Sequence, residues 1–213
     1  MLTVHHLEKS QSERITWLCE ELGLPYDLQL YKRDAVTILA PPELKALHPQ
    51  GTAPIIGDDG LVLAESGAVM QYILGKYGQG RLAPGPDDPA FAPYLYWFHF
   101  ANGTMQPAMG RNMVMRWLKL PPDNPVLLRM RGRLDGAMDQ VEARLGSADF
   151  LAGAELTAAD IMMVFSLTTM RIFMPLDLAP YPNILAYLQR IGARPAYRGA
   201  MRKGDPDLTP LLT

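Results

Sequence analysis

The chain has 213 residues, of which 48% are hydrophobic and 20% charged, and a net charge of −2; this is enough apolar material for one large domain or two modest ones. A pI near 6.1 leaves no global positive field with which to hold nucleic acid or an anionic membrane surface. The single cysteine excludes an internal disulfide and suits a reducing compartment.

The start, MLTVHHLEKS, lacks the basic and apolar segments of a secretory signal. The most apolar run, residues 161–167, is far shorter than the roughly 20 residues that span a bilayer. A cytoplasmic protein without a membrane anchor is expected.

Leu2, Val4 and His6 alternate with Thr3, His5 and Leu7, the period-two signature of a short strand. Ile15, Leu18, Cys19 and Leu22 then recur at helical spacing, and Gly23 with Pro25 supplies a stop. Tyr26, Leu28 and Leu30 alternate again, completing a unit the size of a right-handed βαβ crossover. Pro41 and Pro42 open a short helical stretch that ends at Pro49. Ile55-Ile56 and Leu61-Val62-Leu63 flank Gly57-Asp58-Asp59-Gly60, whose Asp-Gly step signals a hairpin and hence antiparallel strands. Glu65-Ser66 precedes a helix carrying Val69, Met70, Ile73 and Tyr77 on one side, with Ser66 as the expected N-cap.

Residues 78–93 contain Gly80, Pro84, Gly85, Pro86, Pro89 and Pro93, a composition that resists regular structure. The expected organisation is therefore a domain over residues 1–78, a linker over 79–90 and a second domain over 91–213. In the second domain strand signals vanish: Leu127, Met130, Leu134, Met138, Val141 and Leu145 form one helical stripe, and residues 158–173 are apolar nearly all round. No repeat or low-complexity tract interrupts either half.

Four segments carry a resemblance: SQSERITWLCEELGLPY at residues 10–26, HPQGTAPII at 48–56, ESGAVMQYI at 65–73 and FLAGAELTAADIMM at 150–163. Together they resemble the cytosolic glutathione S-transferase superfamily, and HHLEKSQSERITWL with YWFHFANGTMQP is similar to its bacterial and fungal, yeast-type branch. The resemblance implies an α/β thioredoxin-like N-terminal domain that binds glutathione as co-substrate, and an all-α helical-bundle domain that forms most of a pocket for a hydrophobic electrophile. It also implies a homodimer.

Each motif has its own chemistry. Pro54 stands where a thioredoxin-like fold has a cis-proline, which would leave the backbone of Ala53 open to pair with an extended peptide. Ser66 can cap its helix or donate to a carboxylate docked on the free N–H groups there, while Glu65 meets an ammonium group; the γ-glutamyl end of glutathione carries both charges. Gln50 can reach the tripeptide backbone or serve only as a turn residue. Where many relatives have a lysine before the residue that precedes the cis-proline, this chain has Thr52, leaving the partner of the glycine carboxylate open, with Lys45 one candidate.

A free thiol has a pKa near 8.5, so at neutral pH little of it is the nucleophilic thiolate. A hydroxyl donating to sulfur would shift that balance, and with no tyrosine between the first strand and first helix the donor is a serine. Ser10, four residues before Arg14, matches the S-x-x-x-R spacing of serine-type, theta-like relatives; Ser12 is the other candidate, with helix N-cap as its alternative role. Cys19 falls on the buried stripe of its helix and reads as a core residue.

Met105, Met109 and Met113 recur every four residues on one helical face, adaptable material for an electrophile pocket or simple core packing. His99 reads as structural, and four scattered histidines with one cysteine offer no metal-ligand spacing. Thr157-Ala158-Ala159-Asp160 is a capping box with a structural role. The expected function is glutathione S-transfer, with reduction of organic hydroperoxides by the same nucleophile; the alternatives are a non-catalytic glutathione-binding protein of this fold and a glutathione-dependent disulfide reductase.

Overall fold

The alternating start becomes β1 (Thr3–Leu7), which sends Val4 and His6 into the interior. A computed structural model describes residues 1–213, and they cluster into two units: Met1–Ala83 with Gly192–Pro210, and Pro84–Ile191 with Leu211–Thr213. The sequence pattern, which sees only neighbours along the chain, assigned all of residues 91–213 to the second domain; in the structure residues 192–210 cluster with the first.

In the first unit β1 pairs in parallel with β2 (Asp27–Tyr31) and antiparallel with β3 (Ile55–Asp58), which pairs antiparallel with β4 (Leu61–Ala64). The sheet order β2-β1-β3-β4 is the thioredoxin-like arrangement expected from βαβ followed by ββα. Between β1 and β2 runs α1 (Glu13–Leu22), closed by Gly23 at φ 61°, a left-handed conformation that costs glycine least. The hairpin turns on Asp59 and Gly60, both at positive φ, as a two-residue loop matching the strand twist requires.

The hairpin is tied to α3 (Ser66–Tyr77) through Asp58, a buried carboxylate that accepts from Lys76 Nζ (2.7 Å), Tyr72 Oη (2.9 Å) and Tyr77 Oη (2.6 Å). These bonds, led by those from Lys76 and Tyr77, hold its carboxyl down to about 2. The last helix of this unit, α9 (Pro195–Gly204), lies against α1: Trp17 and Tyr197 meet edge to face at 5.0 Å, and Arg194 grips Glu21 with two bonds of 2.7 and 2.8 Å. A bidentate guanidinium–carboxylate pair fixes orientation better than a single-point contact.

The second unit is wholly helical: α4 (Phe91–Phe100), α5 (Gln106–Trp117), α6 (Pro125–Leu145), α7 (Ala158–Leu167) and α8 (Pro182–Ala193), the last running two residues past the cluster boundary. Pro93 sits in the first turn of α4, where its missing N–H has no partner to lose. Between α4 and α5 the chain forms a π-turn over Ala101–Met105. It ends two residues before Pro107, which has no N–H to offer the preceding turn and whose ring crowds a regular helix; widening the turn relieves both. Every residue of α7 is buried, as an element apolar on all sides requires. No helix is long and apolar enough to cross a membrane.

Candidate functional site

The loop that leaves β1 is pinned from two directions. Arg33 donates to the carbonyls of Glu8 (Nε, 3.0 Å) and Lys9 (Nη2, 3.1 Å), and the Lys9 N–H donates to Asp205 Oδ1 at 2.8 Å. Lys9 itself adopts φ 49°, so the chain doubles back and buries both Ser10 and Ser12 at the start of α1. Their hydroxyl oxygens are 2.7 Å apart.

Ser12 occupies the N-cap position of α1, yet its hydroxyl makes no capping bond. Instead Ser12 Oγ accepts from the Leu7 N–H at 3.1 Å and lies 3.1 Å from His6 Nδ1. The expected capping role is thus replaced by a tie to the end of β1. The reason is geometric: Ser12 is already helical (φ −67°, ψ −16°), whereas a side-chain cap needs an extended residue there.

The second segment follows α2 (Pro42–Lys45). Gly51 turns the chain at φ 63°, and a Cβ built on it would lie 3.4 Å from Lys45 Cγ, so the lysine stem lies over this turn. The Ala53–Pro54 bond is cis. Ala53 is buried beside Leu7, Leu44, Ile55 and Ala64, while Thr52 is exposed. The β3 ladder begins only at Ile55, which leaves Ala53 outside it.

The third segment is the start of α3. The structure shifts its cap by one residue: Glu65 holds the N-cap position at φ 74°, ψ 113°, and Ser66 is the first helical residue. Ser66 is buried and does not cap; its hydroxyl donates to Gln11 Oε1 at 3.2 Å. Arg14 Nη1 donates to the same Gln11 oxygen at 2.9 Å and to Ser66 Oγ at 3.4 Å. Burial lowers the Arg14 guanidinium to about 9, against the pull of neighbouring Glu13, so the group stays cationic at neutral pH. Across the exposed side, Gln50 Nε2 donates to Glu65 Oε1 at 2.8 Å.

Within one unit, then, the structure holds a buried hydroxyl pair, a cis-proline with Ala53 outside the strand ladder, and a helix N-terminus where Gln11 bonds Ser66 and the Arg14 cation and Gln50 bonds Glu65. In the second unit Met105 and Met109 are fully buried and only Met113, half-buried, keeps a surface. Met109 and Met113 lie one turn apart in the regular part of α5, so the stripe runs from the core at Met105 and Met109 toward the surface at Met113. Cys19 is buried, and burial first, then Glu20, pushes its thiol up to about 12, which leaves it unreactive.

The family model for the glutathione S-transferase N-terminal domain matches residues 10–74, and that for the C-terminal domain matches residues 96–195. Glutathione S-transferase 3 of Schizosaccharomyces pombe is 32% identical over 229 residues, covering 100% of this chain and 92% of the yeast protein. The chain belongs to the glutathione S-transferase family. Glutathione S-transferase 1 of Saccharomyces cerevisiae is 29% identical over 95% of each protein. A crystal structure of a glutathione S-transferase from Actinobacillus pleuropneumoniae is 35% identical, covers 96% of this chain and 93% of its own, and superposes with a TM-score of 0.88.

Against this glutathione transferase fold, the structure brings Ser10 to Ser12 and Gln50 to Glu65 by direct bonds. Sequence reasoning passed over Gln11, the residue that links the first loop to α3. A glutamine between two candidate serines was visible, but nothing local showed that it reaches residue 66. His6 and Asp205 were also missed. The alternation of β1 did place His6 inward, and a buried imidazole needs a polar partner, but that partner lies 199 residues away.

Proposed function

We propose that this transferase binds glutathione along its first unit and that Ser10 donates to the glutathione sulfur, holding it as the thiolate that attacks a hydrophobic electrophile. The observation that carries this reading is the Gln11 bridge. Gln11 stands between the two serines and accepts from both Ser66 and Arg14, so the thiol-activating loop and the helix end suited to the γ-glutamyl carboxylate belong to one site. The Arg14 charge and the free N–H groups of α3 both favour an anion at Ser66. Glu65 meets the ammonium group, Gln50 steadies Glu65, and the backbone at Ala53 and Pro54 pairs with the cysteinyl segment.

For the glycine carboxylate we assign Lys45, whose stem already lies over Gly51 beside the exposed Thr52. Met113 is the methionine with surface to offer the electrophile, backed by the buried Met105 and Met109. Reduction of organic hydroperoxides uses the same thiolate. A protein-thiol disulfide reductase is disfavoured, because Cys19 has neither exposure nor a lowered pKa.

The test is the ultraviolet absorbance of bound glutathione thiolate against pH, paired with conjugation of a panel of apolar electrophiles. Bound thiolate at neutral pH together with turnover supports the proposal. Tight glutathione binding without thiolate or turnover would make this a binding protein on a transferase scaffold.

A detoxifying, cytoplasmic homodimer is the setting we propose. The free cysteine suits the compartment, which cell fractionation tests. The exposed Tyr96 on α4 (52% accessible) and the exposed Leu61 and Val62 on β4 offer apolar surface to a second copy; a monomer in sedimentation at micromolar concentration would exclude it.

Glu65 gives a separable prediction. A non-glycine residue held at φ 74°, ψ 113° costs roughly 1 to 3 kcal/mol, strain the fold bears for the sake of the side chain. Glu65→Gly is expected to unfold at equal or higher urea concentration than wild type while its glutathione Kd rises about tenfold or more, the loss of one charged hydrogen bond. Calorimetric titration beside urea unfolding reads both; a less stable variant that binds normally would refute the assignment.

A further inference from the structure

Behind Ser12 runs a buried line of polar groups that thiol donation by Ser10 alone does not use. Asp205, at the end of α9, is 5% exposed, and its Oδ2 lies 3.1 Å from Nε2 of His6, which is 1% exposed. The other nitrogen of the ring, Nδ1, lies 3.1 Å from Ser12 Oγ, and Ser12 Oγ lies 2.7 Å from Ser10 Oγ. The carboxylate is fixed at its second oxygen by the Lys9 N–H. The ring is fixed by Gly204, where an added Cβ would come within 3.0 Å of both Cε1 and Nε2. The charged groups near this line are Asp205 itself; Arg33, whose guanidinium is lowered by burial and held up by Glu8 and Asp205; and Lys9, whose N–H bonds Asp205.

Hydrogen-bond direction along this line is constrained. A carboxylate can only accept, so Nε2 carries a proton and the neutral ring turns a lone pair on Nδ1 toward Ser12. Two hydroxyl oxygens 2.7 Å apart need one proton between them. With the ring neutral, Ser12 donates to Nδ1 at 3.1 Å rather than to the more distant Leu7 carbonyl at 3.3 Å, and Ser10 donates to Ser12. Ser10 then shows only a lone pair to an arriving thiol: it can take a proton from sulfur but cannot donate to a thiolate. For Ser10 to donate outward while every group in the line keeps its hydrogen bond, each bond must reverse, and that places a proton on Nδ1.

We propose that His6 is the terminal acceptor of the glutathione thiol proton, delivered through Ser10 and Ser12, with Asp205 as its positioning residue. The S–H bond breaks, its electron pair stays on sulfur, and its proton bonds to Ser10 Oγ. The original Ser10 proton passes to Ser12 Oγ, and the original Ser12 proton forms the N–H bond at His6 Nδ1. Both serines end as intact hydroxyls facing the other way, so Ser10 now donates to the thiolate it has just created. The positive charge left on the imidazole is paired with Asp205, the arrangement by which a buried carboxylate supports an imidazolium in hydrolase triads. Once the sulfur is consumed, the proton leaves by the reverse path. This relay rests on the reading that Ser10 faces the thiol.

The experiment counts protons. At pH about 7.5, between the reference pKa values of imidazole and thiol, glutathione is mixed with wild-type protein in weak buffer containing an indicator dye. Protons released are compared with thiolate formed by absorbance, and S-methylglutathione, which has no thiol proton, supplies the background. The relay keeps the thiol proton on the protein, so wild type is expected to form thiolate with well under one proton released per thiolate. His6→Gln, which can hydrogen-bond but cannot hold the proton, is expected to form about tenfold less thiolate at this pH and to release one proton for each. Asp205→Asn should fall between. A full proton released per thiolate by wild type overturns the relay and leaves the Ser10 assignment standing if Ser10→Ala still loses thiolate. Undiminished thiolate in Ser10→Ala removes the underlying reading and the relay together. The wild-type count needs no variant, so a His6→Gln protein that fails to fold does not mask the result.

Discussion

Replacing Ser10 with alanine is expected to raise the apparent pKa of bound glutathione by about one to two units and to cut kcat/KM near neutral pH by about 10- to 100-fold, the value of one hydrogen bond to a charged acceptor. The loss should appear in kcat with little change in KM for glutathione, because on the proposed reading the tripeptide is held elsewhere, along Ala53, Glu65 and Ser66. At high pH, where free thiol ionises unaided, the variant should recover much of its deficit. Ser12→Ala should behave differently. Its hydroxyl is fully buried and accepts from the Leu7 N–H, so removing it strands that donor and costs about 1 to 3 kcal/mol of stability. Its effect on the thiol is transmitted only through Ser10. Thiolate titration and urea unfolding of both variants decide the assignment: if Ser12→Ala loses the thiolate while Ser10→Ala keeps it, the two roles exchange.

How much of this was legible in the sequence depends on how far each partner lies along the chain. The Asp59-Gly60 hairpin, the Gly23 stop and the α7 capping box each rest on residues within a few positions of one another, and periodicity reports such features directly. The methionine repeat marks another limit: Met105, Met109 and Met113 read as one face from spacing, but what covers each is set by packing, and only Met113 keeps a surface. Glu65 and Ser66 show a subtler limit. The pair was recognisable, but only the backbone reveals that glutamate takes the strained cap position and frees the serine hydroxyl for Gln11.

The candidate site was legible as a set of residue types and illegible as a network. Ser10, Ala53, Pro54 and Ser66 could be picked out because each has a local chemical reason to stand where it does. What joins them, Gln11 with Arg14 on one side and His6 with Asp205 on the other, spans 52 to 199 residues of chain. Arg14 shows the physical cost of such links: a fully buried guanidinium must be compensated, and burial lowers its pKa even so. Its hydrogen bonds to Gln11 and Ser66 place that charge at the start of α3, where the proposed function uses it.

Asp160→Ala is expected to be the most damaging substitution for stability, lowering it by about 3 to 5 kcal/mol, a large share of the roughly 5 to 15 kcal/mol that holds an ordinary domain together. The carboxylate is fully buried at the start of α7 and accepts four bonds: from the Thr157 N–H (2.8 Å), the Thr157 hydroxyl (3.1 Å), the Leu151 N–H (2.9 Å) and the Tyr187 hydroxyl (3.1 Å). Burial pushes its carboxyl up, and these four donors pull against that shift. Alanine would leave two backbone donors and a tyrosine hydroxyl without partners in the interior, each costing about 1 to 3 kcal/mol. It would also release the loop before α7 and α8 from each other, since Leu151 and Tyr187 share one carboxylate oxygen. Asp160→Asn keeps the shape but turns an amide toward donors, so it should lose about half as much. Urea midpoints of the three proteins measure the series. An alanine variant within about 1 kcal/mol of wild type would mean that water or a rearranged partner satisfies these groups, and that α7 does not depend on its cap.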